Sequence, residues 1–367
     1  MSAKRILQII PSLDRAGAEK QLTLLATELP RDEFDVHVCA LTRGGPYQAE
    51  LERANIPVHI LGKRWKIDPI TLWKLHRLVR RLRPDLVQTW TFTANSYGRV
   101  VARIAGVRGI VASEQCADYW KKPYELALDR FLARWTDKII VNSRGVYDFY
   151  TARGIAVTKI SLIANGFPAR SPSRITRAEL LSDLSLPQDS KLVAAIGRLR
   201  SQKRVRDVIW AGELLKVVRD DTHILILGDG PQRQALERFR DHVEIRDRVH
   251  FLGHRNDIDQ ILEHLDVLWL ASAYEGFPNV ILEAMAAGIP VVATDIPGNR
   301  DLVVHEKTGY LFPVGDRAAL ASWTNQLLDH SEKARSMGEA GRMALKGQHA
   351  VETLVQQHAA IYRQLLQ

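Results

Sequence analysis

VLWLASAYEGFPNVILEAMAAGIPVVAT, residues Val267 to Thr294, opens with a short apolar run, Val267–Leu270, of the length and type of a buried strand. A turn follows at Tyr274-Glu275-Gly276, and Pro278 with Asn279 leads a helical pattern. Proline suits a first helical turn because its missing N–H has no intrahelical partner there. Gly288 and Pro290 stop the helix, and Val291–Thr294 restarts a strand. Strand, loop, helix and strand in this order form the repeating unit of a parallel sheet.

The stretch also carries chemistry. Backbone N–H groups over Gly276, Phe277, Pro278, Asn279 and Val280, where proline alone lacks one, surround a helix start that attracts anions. Glu275 precedes the helix and Glu283 lies one to two turns inside it, so two carboxylates can reach one ligand at different depths. Two Glu at this spacing also occur on solvated helix faces. Placement at the end of a strand, where open α/β sheets bind ligands, favours a site. An anion at the N–H groups with sugar hydroxyls at each carboxylate describes a nucleotide-diphosphate sugar.

The residues EGFPNVILEAMAAGIPVVAT resemble the Glu-x7-Glu motif of the retaining GT-B glycosyltransferases of family four, the group 1 type. The resemblance implies an α/β chain with the GT-B fold, two doubly wound Rossmann-like domains facing a cleft. It implies a place beside the transferred sugar for Glu275 and at the ribose hydroxyls for Glu283. It covers almost the whole chain, most specifically residues 191–320.

Composition agrees with a globular protein. The chain has 367 residues, 46% apolar and 25% charged, with no low-complexity tract or solenoid repeat. Cys39 and Cys116 form no metal or redox spacing, and a reducing cytoplasm is the simple expectation. The apolar run Ile6–Ile10 is too short for a signal-peptide core, and no run is long enough to span a bilayer. A cytoplasmic protein, soluble or peripheral at the inner face of the membrane, is expected. Net charge is +9, but residues 1–167 hold 26 Lys+Arg against 16 Asp+Glu, whereas residues 168–367 hold 25 against 26. The basic excess therefore lies wholly in the first half and points to an anionic partner.

Strands are expected at 4–10, 36–41, 58–61, 86–89, 109–113 and 138–142, alternating with helices. The loop after the first ends Ala16-Gly17-Ala18-Glu19 and resembles the family's Gly-Gly-Ala-Glu loop under the donor phosphates, with Ala16 for the first Gly. This is not a GxGxxG fingerprint, which argues against a dehydrogenase. The helix expected from Pro69 to Arg83 carries Ile70, Trp73, Leu78 and Leu82 toward a core or a membrane. It also carries Lys74, Arg77, Arg80, Arg81 and Arg83, preceded by Lys63-Arg64-Trp65-Lys66. Such a helix suits an anionic membrane surface or, more plainly, a solvated face.

Asn165-Gly166 matches the family's turn at the end of the first domain, without its usual Asp. Residues 1–168 are therefore expected as an acceptor-side domain and 169–350 as the nucleotide-sugar domain. By family resemblance, a last helix near 351–367 packs back on the first domain. In the second domain, strands are expected at 192–196, 224–227, 249–252, 267–270 and 291–293. Gly197-Arg198 and Lys203 resemble the pair whose cations grip the donor diphosphate; the family's Gly after this Lys is Arg204 here. Cations fixed near a departing diphosphate favour the transition state over the ground state. Leu227-Gly228-Asp229-Gly230-Pro231, with Gly228 as a donor-side candidate, resembles the family's LGxGP turn, which shapes the cleft wall. Phe251 lies by the base in the family, and Pro297-Gly298-Asn299 forms a further edge loop. Asp257-x-Asp259 mimics a metal-binding motif of another glycosyltransferase fold, but reads as helix capping, and no metal or cofactor is expected.

On the acceptor side the match weakens. Gln115 stands where the family usually offers His, and Gln88, Trp90 and Thr93 replace other histidines. An amide can hydrogen-bond a sugar hydroxyl but cannot act as a base. Either the departing phosphate takes the acceptor's proton or Glu114 serves as base, unless Glu114 is simply a buried structural pair for Arg or Lys; the first is favoured. Trp90, Asn95, Gln115 and Tyr119 are the expected specificity residues. The activity expected is retaining hexosyl transfer from a UDP- or GDP-sugar to a sugar or lipid-linked acceptor. A sugar-nucleotide epimerase or phosphorylase of the same fold is the alternative. No nucleic-acid-binding module is recognised.

Overall fold

The computed structural model describes residues 3–117, 121–168, 173–255, 257–345 and 349–367, so Tyr119 and most of the expected Pro/Ser/Arg linker lie outside the described residues. The chain divides into two compact units, Met1–Pro168 with Gly347–Gln367, and Ala169–Lys346.

The first unit runs β1 (Lys4–Ser12), α1 (Gly17–Glu28), β2 (Phe34–Arg43), α2 (Pro46–Arg53), β3 (Val58–Ile60), α3 (Pro69–Leu82), β4 (Leu86–Trp90), α4 (Thr91–Ala105), β5 (Gly109–Glu114), α5 (Pro123–Ala133), β6 (Lys138–Val141), α6 (Arg144–Thr151) and β7 (Ile160–Leu162). Its sheet has the order β3-β2-β1-β4-β5-β6-β7, with every pairing parallel. β4 and β5 are buried throughout and β1 is buried over Ile6–Ile10, as expected of strands covered on both faces by helices.

The second unit runs α7 (Arg177–Asp183), β8 (Lys191–Ile196), α8 (Val205–Val218), β9 (Thr222–Leu227), α9 (Arg233–His242), β10 (Val249–Gly253), α10 (Ile258–Leu262), β11 (Val267–Leu270), α11 (Asn279–Ala287), β12 (Val291–Thr294), α12 (Pro297–Arg300), β13 (Gly309–Phe312), α13 (Arg317–Asp329) and α14 (Ser331–Ala344). Its sheet is also parallel, in the order β10-β9-β8-β11-β12-β13. In each sheet the chain starts at the centre, builds one flank, then crosses to build the other. That leaves switch points between β1 and β4 and between β8 and β11, where loops diverge and open α/β sheets take ligands.

The last helix, α15 (Val351–Leu366), belongs to the first unit. Its Leu354, Val355, Ala359, Tyr362 and Leu366 join the core beside β1 and β2. Gln8 Nε2 donates to Tyr362 Oη at 2.9 Å, and that hydroxyl donates to Gln88 Oε1, so three elements share one buried polar chain. Pairing these groups avoids the cost of burying them bare. The Asn165-Gly166 turn is held by α1: Gln21 accepts from Gly166 N–H at 2.8 Å and donates to Gly166 O at 2.9 Å.

The α3 helix differs from the sequence expectation in one respect. Leu75, Leu78 and Val79 are buried, whereas Ile70 and Trp73 are exposed. Its apolar residues form two stripes rather than one.

Candidate active site

At the switch point of the second unit, β8 ends at Ile196 and the chain turns through Gly197, whose φ of 151° is in the region favouring glycine. A Cβ there would lie 3.2 Å from Lys203 Cε, so the lysine stem lies against the bare backbone. Gly228, after β9, has φ 130°, and a Cβ on it would meet Gly197 O at 2.1 Å. Gly197 N–H donates to Leu227 O at 2.9 Å and Gly228 N–H to Gly253 O at 2.7 Å. The loops after β8, β9 and β10 are thereby stitched at a spacing only glycines allow.

Lys203 ends a short 3-10 turn, Ser201–Lys203. Its Nζ donates to Glu275 Oε1 at 2.6 Å, and Ser272 Oγ donates to the same oxygen at 2.5 Å. Gln202 reinforces the junction, donating from Nε2 to Tyr274 O and accepting from Ala273 N–H, both at 2.8 Å. Thr294 Oγ1 donates to Ser272 O at 2.6 Å, and Asn299 Nδ2 donates to Thr294 O at 2.8 Å. A continuous polar chain thus runs from α12 to Lys203 and fixes the Glu275 carboxylate. Gly298 is needed here because a Cβ would lie 2.7 Å from Gly276 O and 2.8 Å from Glu275 O.

Gly276, Phe277 and Pro278 are buried; Asn279 and Val280 are half-buried. Pro278 stands at the N-cap of α11, and Ile281 N–H donates back to Pro278 O. Ile281, Leu282, Ala284 and Met285 anchor that helix in the core, with Glu283 on its half-buried side. Arg198 is exposed on the β8 loop, and its guanidinium has no ion pair or hydrogen bond among the described residues. The structure therefore joins Lys203 directly to Glu275 and leaves Arg198 available to an anion.

Arg204 explains the family's glycine at this position: its φ is 50°, the left-handed region. An arginine there carries a backbone cost of roughly 1–2 kcal/mol. Its Nε donates to Asp207 Oδ2 at 2.6 Å, a contact that offsets part of the cost. On β10, Phe251 is half-buried beside the Arg240 guanidinium, 5.5 Å from its ring centroid. The neighbouring His250 faces His223 at 3.1 Å; burial and that neighbour hold it down at about 4, and burial lowers His223 as well.

Asp257 corrects an expectation. It occupies the N-cap position of α10 but makes no capping hydrogen bond. Its carboxylate instead accepts from Arg255 Nε at 2.8 Å and Nη2 at 2.6 Å. Among the described residues no group of three or more His, Cys, Asp or Glu is arranged to hold a metal.

In the first unit, Gly17 opens α1 and is exposed. Ala16 before it is extended, φ −144° and ψ 173°, so replacing the family's glycine by alanine costs no strain. Glu19, in the first turn, was not singled out by sequence. Burial and the charge of Asp14 push its carboxyl up to about 7, although the turn's backbone N–H opposes the shift.

Two acceptor-side expectations, for Trp90 and Asn95, are overturned by burial. Trp90 is 1% exposed; its Nε1 donates to Gln8 Oε1 at 2.7 Å and its ring stacks on His358. Asn95 is fully buried, accepting from Thr89 Oγ1 at 2.6 Å and donating to Ser113 O at 3.2 Å. Both are core residues with their polar atoms spent internally. Glu114 is buried in a charge cluster, its Oε2 3.8 Å from the Nζ of the fully buried Lys121, which also donates to Asp129 Oδ2 at 2.7 Å. The Glu114 carboxylate is thus held in a buried ion pair with Lys121. Gln115 remains half-exposed: Asn142 Nδ2 donates to its Oε1 at 3.0 Å, and its own amide N–H donors have no partner among the described residues.

Two family models match the chain: "Glycosyltransferase Family 4" over residues 15–170 and "Glycosyl transferases group 1" over residues 176–344. The chain belongs to the group 1, family 4 glycosyltransferases. Among curated relatives of this glycosyltransferase, the N-acetyl-alpha-D-glucosaminyl L-malate synthase of Bacillus anthracis is 35% identical over 189 residues, 51% of this chain and 49% of that one. The UDP-Gal:alpha-D-GlcNAc-diphosphoundecaprenol alpha-1,3-galactosyltransferase of Escherichia coli is 29% identical, with 84% of each chain covered. Anabaena Alr3699/HepE, solved in complex with UDP and glucose, superposes with a TM-score of 0.88 at 24% identity, covering 98% of this chain and 100% of that one. That likeness establishes the GT-B fold of this glycosyltransferase.

Proposed function

We propose that this glycosyltransferase transfers a hexose, with retention of anomeric configuration, from a nucleoside diphosphate sugar to an acceptor hydroxyl. The observation that carries the reading is the fixed ion pair of Lys203 and Glu275 beside the glycine-stitched loops and the start of α11. Backbone N–H groups and cations offered to one point suit a diphosphate. As the sugar–phosphate bond breaks, charge grows on the leaving diphosphate, and Lys203 with Arg198 stabilises it most when it is fully developed.

In the resting chain Glu275 neutralises Lys203. A bound diphosphate takes the lysine, and the freed carboxylate, still held by Ser272, accepts from hydroxyls of the transferred sugar. Glu283, one turn into α11, holds the ribose. With side-chain cations meeting the diphosphate, the reaction needs no metal ion. Gln115 donates to an acceptor hydroxyl, and the departing phosphate takes the acceptor's proton.

The galactosyltransferase relative is named for an alpha-D-GlcNAc-diphosphoundecaprenol, a lipid-linked sugar, which supports a sugar or lipid-linked acceptor and a role in polysaccharide or glycolipid synthesis. The two free cysteines fit a reducing cytoplasm. NMR of the product's anomeric proton tests retention: the donor's configuration is expected in the product, and its inverse would refute the mechanism.

A further inference from the structure

Residues 63–83 carry eight Lys or Arg and a single acid, Asp68. Asp68 is buried, where it accepts from Arg64 N–H at 3.0 Å and caps α3 through Thr71 N–H at 3.0 Å. Beside this segment, α5 has two acids, Glu125 and Asp129, both also buried and paired. The exposed charge of the two elements is therefore all positive.

Amid these cations lie large apolar side chains that nothing in this unit covers. Trp65 is 59% exposed, Ile67 79%, Ile70 55% and Trp73 59%. They precede and open α3, whose opposite face, Leu75, Leu78 and Val79, is fully used in the core. On α5, Tyr124, Leu128 and Phe131 are exposed at positions i, i+4 and i+7, one helix face. Lys66 joins the two stripes, its Nζ 3.2 Å from Tyr124 Oη.

We propose that this surface docks on an anionic lipid bilayer, with Trp65, Ile67, Ile70 and Trp73 entering the boundary between headgroups and acyl chains. Trp suits that depth, with an apolar body and a polar N–H, and the surrounding Lys and Arg meet lipid phosphates. A second copy of the chain would bring another wholly basic rim against this one. A single-stranded nucleic acid would use the tryptophans for stacking but has no use for Ile67 and Ile70, and Ile67 is the most exposed of the four.

Sedimentation with phosphatidylcholine vesicles, with and without phosphatidylglycerol, tests this. Binding is expected only with phosphatidylglycerol and is released by salt. Ile67→Ser with Trp73→Ser, and separately Lys74→Glu with Arg77→Glu, each lower the partition by roughly tenfold or more, with the melting temperature unchanged. Lipids brominated in their acyl chains quench the wild-type tryptophan fluorescence. Trp65→Phe with Trp73→Phe still binds but loses that quenching. Equal binding of Ile67→Ser/Trp73→Ser and wild type, absence of quenching, or tighter binding to single-stranded RNA than to vesicles would each overturn the docking mode. No donor or acceptor enters the assay, so its failure would leave the sugar-transfer reading intact.

Discussion

Lys203 Nζ and Glu275 Oε1 are 2.6 Å apart, although 72 residues separate them in the chain. The pair joins the loops after β8 and β11 at the sheet's switch point. Each group holds the other in place while the site is empty, and a diphosphate must compete with a carboxylate for the lysine. Two substitutions separate these roles. Lys203→Ala is expected to lower kcat about 100- to 1,000-fold, the usual loss for one electrostatic donor. Glu275→Gln also lowers transfer but releases Lys203, so the nucleoside diphosphate binds more tightly than to wild type. Calorimetric titration with the nucleotide checks it; weaker binding to Glu275→Gln would show that the pair is not in competition with the ligand.

The acceptor side yields a contrast between residues of similar sequence appearance. Gln115→Ala should weaken transfer modestly by raising the acceptor KM, since its amide donors are unspent. Asn95→Ala leaves the buried Thr89 hydroxyl without one partner and should cost about 1–3 kcal/mol of stability, with KM little changed in the fraction that folds. Lys121→Met leaves two buried carboxylates short of a cation and should cost about 3–5 kcal/mol. Denaturation midpoints beside acceptor kinetics distinguish the two classes of residue.

Glycines of the two units should respond differently. Gly228→Ala drives a Cβ to 2.1 Å from Gly197 O at a φ of 130°, so unit two must shift its donor loop. Loss of nucleotide binding with a severe fall in melting temperature is expected. Gly106→Ala, at φ 71° with nothing within 4 Å of the new Cβ, should cost only the left-handed penalty of about 1–2 kcal/mol.

Two groups shifted by burial should pull stability in opposite directions as pH changes below neutrality. The Glu19 carboxyl, raised to about 7 in the folded chain, keeps a proton that the unfolded chain has already lost above its ordinary range. Its contribution is therefore present at low pH and lost as pH rises from the ordinary carboxyl range through about 7. Glu19→Gln should gain about 1–3 kcal/mol over wild type at pH 8 and little at pH 5. His358 has the opposite sign: burial holds it down at about 4, so the unfolded state takes up protons first as pH falls below 6.5. Its buried Nε2 has no partner for the added proton among the described residues. Melting curves across pH for the wild type and Glu19→Gln test this account, and parallel curves would contradict it.

The alternation of strands and helices was legible because buried parallel strands are short apolar runs bounded by glycine and proline, as in Val267–Leu270. The Lys203 and Glu275 positions were legible for the same reason, since each follows a strand that its own residues announce. β7 and β13 were not expected; β7 is three residues long and runs into the Asn165-Gly166 turn rather than a helix. Trp90 and Asn95 were misread, and the two readings of Glu114 stayed open, because sequence does not show which polar atoms are satisfied inside a core. The partners of Trp90 and Glu114 that decide the matter, Gln8 and Lys121, come from a different strand and from beyond the end of a strand. The α3 periodicity placed Ile70 and Trp73 with Leu78, but the core takes only one of its two apolar stripes.

The central claim is most directly tested by supplying UDP- and GDP-sugars with sugar or lipid-linked acceptors and measuring nucleoside diphosphate release. Release that requires both donor and acceptor, and that falls to background with Lys203→Ala, is the predicted result. Release at the same rate with Lys203→Ala, or conversion of the donor without an acceptor, would contradict it.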